Sequence, residues 1–113
     1  MKRNEQLQIN SIVEKHRVAA MDELLMINER SCLHGTRLRA CQAYVFETKN
    51  YYVLRSYDTF VAVIPKSDRR VCFDFLRKVY GYTPTSNQHI SKFSKDYGAD
   101  CWGCDVIYRW REV

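Results

Sequence analysis

Residues Asn4 to Arg30 contain no glycine or proline, and their apolar side chains recur at three- and four-residue steps: Ile9, Ile12, Val13, Ala19 or Ala20, Leu24 and Ile27. That period lines one face of an α-helix. The pattern commits a large part of a 113-residue chain to helix, as one long element or as two that break near His16 to Val18. Gly35, just after Cys32-Leu33-His34, is the first strong stop signal.

The pattern then changes. Ala40 to Lys49 alternates as a strand does, and Tyr51 to Ser56 and Thr59 to Pro65 read as two more. Tyr57-Asp58 is a plausible tight connection between them, although it lacks the preferred glycine. Val61-Ala62-Val63-Ile64 is continuously apolar and predicts a strand covered on both faces. Ser67 or Asp68 can cap a helix running to about Tyr80, with Val71, Cys72, Phe75, Leu76 and Val79 as its buried stripe and Gly81 as its stop. Thr85-Ser86-Asn87-Gln88 reads as a capping box. It opens a helix with Ile90, Phe93 and Tyr97 on one face, ending at Gly98. Val106 to Glu112 is a last strand. The expected fold is a single α+β domain spanning 1–113: N-terminal helix, three- to four-stranded antiparallel sheet, αα-hairpin and C-terminal strand.

The composition supports a folded core. Hydrophobic residues are 46% and charged residues 27%, ordinary for a globular domain and unlike a disordered chain. A chain of this size buries about two thirds of its unfolded surface. The longest apolar runs, such as Phe60 to Ile64, fall far short of the ~20 residues of a membrane span. The polar opening residues do not resemble a secretory leader, so the expected location is the cytoplasm. TIM barrels and two-domain dehydrogenases need longer chains.

Five cysteines, Cys32, Cys41, Cys72, Cys101 and Cys104, make a disulfide framework improbable in a cytosolic chain. Cys72 sits among apolar neighbours and reads as core. Cys101-Trp102-Gly103-Cys104 can place two thiolates on one tetrahedral ion, with Gly103 free to take a positive φ. Cys32 and His34 form a second close pair at a helix end. Together Cys32, His34, Cys101 and Cys104 would make a structural zinc site stapling the first helix to the last strand, with Cys41 and His89 in reserve. A redox dithiol fits less well, because such motifs open a helix and this one precedes a strand.

The net charge is +5, with basic residues scattered rather than in runs. A basic chain can meet nucleic acid or an acidic protein surface. The two helices around Gly81 to Pro84 have the outline of a helix-turn-helix, and Asn87, Gln88, Lys92 and Lys95 are the side chains that could read adenine or hold phosphate. Against that stands an αα-hairpin with an ordinary polar outer face. There is no Gly-rich phosphate loop, HExxH motif or nucleophile elbow, so a non-enzymatic chain without a small-molecule substrate is expected. The aromatics, eight of them tyrosine, exceed what a small core needs. Tyr, Trp and Arg favour protein interfaces, which makes Arg69, Arg70, Tyr82, Arg109, Trp110 and Arg111 the candidates for partner contact; aromatic cross-strand packing is the plainer account.

The stretch Arg55 to Ala99 resembles a family of small uncharacterised proteins from phages and conjugative elements of Gram-positive bacteria. The matching features are the Ser56-Tyr57 turn, the Val61-Ala62 strand, Asp74-Phe75-Leu76-Arg77, Val79-Tyr80-Gly81-Tyr82-Thr83, the Thr85-Ser86 cap, Gln88-His89-Ile90, Lys92-Phe93 and Asp96-Tyr97-Gly98. The Cys101 to Cys104 tail lies outside that pattern. The resemblance implies a mobile-element setting, where small single-domain proteins often inhibit host defence. Some look like anti-CRISPR proteins that block Cas9. A charge of +5 has the wrong sign for a DNA mimic, so such an inhibitor would dock on a protein lobe of a Cas9-type effector or on its guide RNA. The alternative is a basic DNA-binding accessory protein that uses helix 86–97.

Overall fold

The structure is a computed structural model and describes residues 3–30, 35–99 and 102–113, with the backbone alone for 28–30. The first helix, α1, runs unbroken over Arg3–Arg30. Val13, Ala20 and Leu24 are its buried apolar residues. Ile12 turns to solvent, because it lies 100° around the helix from Val13 and only one of the two can face the sheet. The buried stripe continues toward the N-terminus through two amides, Gln6 and Asn10.

Six strands follow: β1 Thr36–Arg37, β2 Ala43–Glu47, β3 Tyr51–Ser56, β4 Thr59–Pro65, β5 Val71–Asp74 and β6 Val106–Arg109. They lie side by side in chain order. All neighbours are antiparallel except β5 and β6, which are parallel because α2 (Leu76–Val79) and α3 (Pro84–Tyr97) carry the chain back between them. Side chains alternate between two cores. Leu54, Ala62, Ile64 and Cys72 pack with Ile90 and Phe93 of α3. Val53, Val63 and Phe73 pack with Val13, Ala20 and Leu24 of α1. The sheet is therefore the middle layer between α1 and α3.

The region 67–80 departs from expectation. Val71 to Asp74 is a strand, and only Leu76–Val79 is helical. An apolar run covered on both faces fits a helical stripe and a buried strand equally well, and the long-range ladder to β6 decides between them. Asp68 closes a turn, accepting the Arg70 amide at 3.2 Å. Asp74 Oδ1 accepts the Leu76 amide at 2.9 Å. The αα-hairpin and the helix-turn-helix outline fall together, while the three expected strands do pair antiparallel, within a six-stranded sheet whose last pair is parallel. The first expected strand also begins later, at Ala43, after a turn in which Arg39 has φ 54°. Helix α3 starts earlier: Thr83 caps it, its Oγ1 accepting the Ser86 amide at 3.2 Å, and Pro84 opens the first turn.

The exposed edge of β6 is closed by α1. The Trp110 amide bonds inward to Asp74 O at 2.8 Å, so the backbone groups of the alternate residues face the open edge. Gln6 Nε2 donates to Arg109 O at 3.0 Å. Asn10 Nδ2 donates to Arg111 O at 2.7 Å, while Asn10 Oδ1 accepts the Arg111 amide at 3.0 Å. Two helix side chains thus stand where a seventh strand would pair.

Candidate functional site

A small cavity of about 100 Å³ opens where the β3–β4 turn meets the start of α3. Ser56, Asp58 and Ser86 contribute its polar lining, and Tyr57 and Tyr80 stand beside it. Its floor is a hydrogen-bonded network. Ser56 Oγ lies 2.9 Å from Ser86 Oγ and 2.8 Å from His89 Nδ1. All three residues are buried, and burial, then Lys92, holds the His89 imidazole below its ordinary pKa. A serine hydroxyl against an imidazole is also how nucleophilic catalysis begins. Here the hydroxyl is shared with a second serine, and no carboxylate bonds His89 among the described residues. The network ties β3 to the first turns of α3 and sets the depth of the cavity.

The rim is aromatic. Tyr57 is 52% exposed and Tyr80 65%, and Tyr82, two residues further on, is 49% exposed, values that leave about half or more of each side chain open to a partner. Tyr57 follows the last residue of β3 with φ 55°, a left-handed conformation a bulky residue adopts only at a cost. Its amide donates to Gln42 O at 2.8 Å, and its ring centroid sits 5.6 Å from that of His89. Tyr80 and Tyr82 flank Gly81, which has φ 101°, and the Arg77 guanidinium lies 4.6 Å from the Tyr82 ring centroid.

Most of the expected contact residues hold partners within the fold. Tyr82 is exposed two residues after Tyr80 of the rim. Arg69 donates to Tyr97 O at 2.9 Å and Gly98 O at 3.3 Å, so it closes the C-terminus of α3. Arg70 pairs with Asp68 in solvent. Arg109 lies 3.3 Å from the buried Asp74 carboxylate, whose pKa is raised by burial and lowered in part by Arg109. Trp110 is half-buried, with Lys78 Nζ 5.3 Å from its ring. The Arg111 backbone is held by Asn10. A second, wider hollow of about 330 Å³ lies there, between Gln6, Ile9 and β6.

On α3, Gln88 and Lys95 face solvent and Asn87 is half-buried. Lys92 Nζ lies 3.2 Å from Cys41 Sγ. Of the expected zinc ligands, Cys32, His34 and Cys101 lie outside the described residues. Cys104 Sγ donates to Arg69 O at 3.4 Å, and its longer contact to Ser94 O is 3.8 Å. Burial raises the pKa of that thiol. Both reserve ligands are engaged, Cys41 with Lys92 and His89 with Ser56. Among the described residues no group of three or more His, Cys, Asp or Glu side chains could hold a metal, and no helix is long and apolar enough to cross a membrane. Gly103 does take a positive φ, 97°, as its place in the motif predicts.

Sequence reasoning did not assemble Ser56, Tyr57, Asp58, Tyr80, Ser86 and His89 into a site. One signal was visible, a two-residue hairpin connection made of Tyr-Asp in place of a glycine-containing pair. A family model described as a family of unknown function (DUF8033) matches residues 27–107, which takes in all six. No curated protein and no solved structure matches the chain.

Proposed function

We propose that this chain, which belongs to the DUF8033 family of unknown function, is a binding module that docks on a protein partner through the Tyr57, Tyr80 and Tyr82 rim and performs no chemistry of its own. The observation that carries this is the exposure of Tyr57 and Tyr80 beside one cavity, with Tyr82 exposed two residues after Tyr80. Tyrosine supplies large contact area with little side-chain entropy to lose, and buried Tyr and Arg dominate interface energies. The hydrogen-bonded floor beneath the rim pre-organises it, which lowers the ordering cost of association. The partner class to try first is a defence nuclease of the Cas9 type, given the resemblance to mobile-element proteins, with inhibition by occupancy.

The test uses the wild type and a Tyr57→Ser, Tyr80→Ala variant. Both are immobilised against lysate of the cells that encode the chain, and both are added to guide-loaded Cas9 with labelled duplex DNA. Proteins retained by the wild type and released by the variant, with free DNA unshifted, support docking. Equal retention by the two proteins refutes it. A DNA shift by the chain alone that weakens steeply with salt moves the function to the outer face of α3. Undiminished cleavage by Cas9 removes the nuclease and leaves the docking surface.

A further inference from the structure

We infer that the cavity between Tyr57 and Tyr80 receives a basic side chain, an arginine or lysine presented by the protein partner, with Asp58 as its counter-ion. The inference rests on the docking reading above and names what the rim recognises.

Asp58 is exposed at the tip of the β3–β4 turn and lines the cavity. It joins none of the ion pairs formed among the described residues, whereas Asp68, Asp74 and Asp96 each hold an arginine. The rings show the same gap. The chain's own cations lie over Tyr44, Phe46, Tyr52, Tyr82 and Trp110. Tyr57 and Tyr80, the two tyrosines lining the cavity, carry none among the described residues, the Tyr57 ring meeting only the His89 imidazole. Exposed aromatic rings beside an unpaired carboxylate are what an ammonium or guanidinium requires.

Size and polarity narrow the ligand further. About 100 Å³ accommodates the end of a side chain, well below the 300–1,000 Å³ usual for a whole small molecule. The start of α3 offers little to an anion. Pro84 has no N–H, the Ser86 amide is spent on Thr83 Oγ1, and the Asn87 amide on Thr83 O at 3.0 Å. Burial, then Lys92, holds the His89 pKa down, which disfavours a charged imidazole beneath the cavity. The positive φ at Tyr57 is what a two-residue hairpin connection requires at its first position, and it holds one wall of the cavity in place.

The test is a ¹H–¹⁵N NMR titration of the full chain with Nα-acetyl-arginine amide and Nα-acetyl-lysine amide. The acetyl amides of norleucine and glutamate serve as neutral and anionic controls. Saturable shifts at Tyr57 to Thr59 and at Tyr80, with the basic probes only, are expected. Asp58→Asn should weaken them about three- to fivefold, and Tyr80→Ala should abolish them. Both changes sit in solvent, and an otherwise unchanged spectrum confirms folding. Equal shifts with norleucine or glutamate, shifts confined to other residues, or full binding by Asp58→Asn overturn the inference. A rim variant that loses its partner while the basic probes fail to bind leaves docking standing without the basic anchor. Probe binding combined with a partner indifferent to the rim supports the cation site and ends the docking reading.

Discussion

Replacing Asn10 by alanine removes one of the two side chains that close the β6 edge. Three hydrogen bonds are lost: to Arg111 O at 2.7 Å, from the Arg111 amide at 3.0 Å and from Gln6 Nε2 at 2.8 Å. A net contribution of about 0.5–1 kcal/mol per bond gives a loss of about 2 kcal/mol, since water reaches the exposed Arg111 backbone and limits the penalty. Alanine is the better helix former by roughly 0.5 kcal/mol, which leaves about 1.5 kcal/mol. With an unfolding entropy near 2.1 cal/mol/K per residue, a 113-residue chain should melt about 6 °C lower. Urea denaturation measures the free energy, and hydrogen exchange reads the Arg111 amide directly. The amide should lose its protection while Phe73 and Val63 in the sheet centre keep theirs. A stability change under about 0.5 kcal/mol, or an Arg111 amide still protected, would refute the edge-closing role. A Gln6→Ala, Asn10→Ala cycle should be non-additive, because the two amides bond each other.

Other outcomes follow from single features. Gly98→Ala would place a Cβ 2.5 Å from Gly103 C and Ser94 O and 2.6 Å from Cys104 N, all backbone atoms; the expected cost is about 1–3 kcal/mol in thermal melting, while Gly81→Ala meets open space and costs only the ~1 kcal/mol of its positive φ. His16 and His89 both have pKa values lowered chiefly by burial, with Lys15 and Lys92 adding to the effect. The unfolded chain therefore binds protons first, and stability should fall as pH drops from about 7.5 to about 5.5, less steeply in a His16→Gln, His89→Gln variant. Asp74, with its pKa raised by burial, acts in the opposite sense at lower pH. Metal analysis reads the zinc staple: about one zinc per chain and a melting temperature lowered by chelator would support Cys32, His34, Cys101 and Cys104 as ligands, and metal-free protein with unchanged melting would end that expectation.

The elements legible in the sequence are those whose pattern admits one interpretation. Helix α1 has a 3.6-residue period and no breaker. β3 and β4 have the right length, flanks and a short connection. α3 shows its apolar face and its stop at Gly98. β5 was missed because Val71-Cys72-Phe73 is apolar at every position, facing Ile90 on one side and Val13 on the other, and such a run carries no period. Gln6 and Asn10 are polar residues on the buried stripe of α1. Their partners lie 103 and 101 residues away, beyond any local pattern.

The candidate site divides along the same line. The sequence by itself determined the α+β class, the helical character of residues 4–30, the central strands and the unusual Tyr57-Asp58 connection, because local propensity and short-range periodicity act over a few residues; that 4–30 is one helix and not two came from the tertiary structure. Only the tertiary structure decided that Ser56 meets Ser86 and His89, 30 and 33 residues onward, that Tyr80 comes to the Tyr57 turn, and that β6 runs parallel to β5. Those pairings come from burying two faces of one sheet at once, a condition on the whole chain that no single segment encodes.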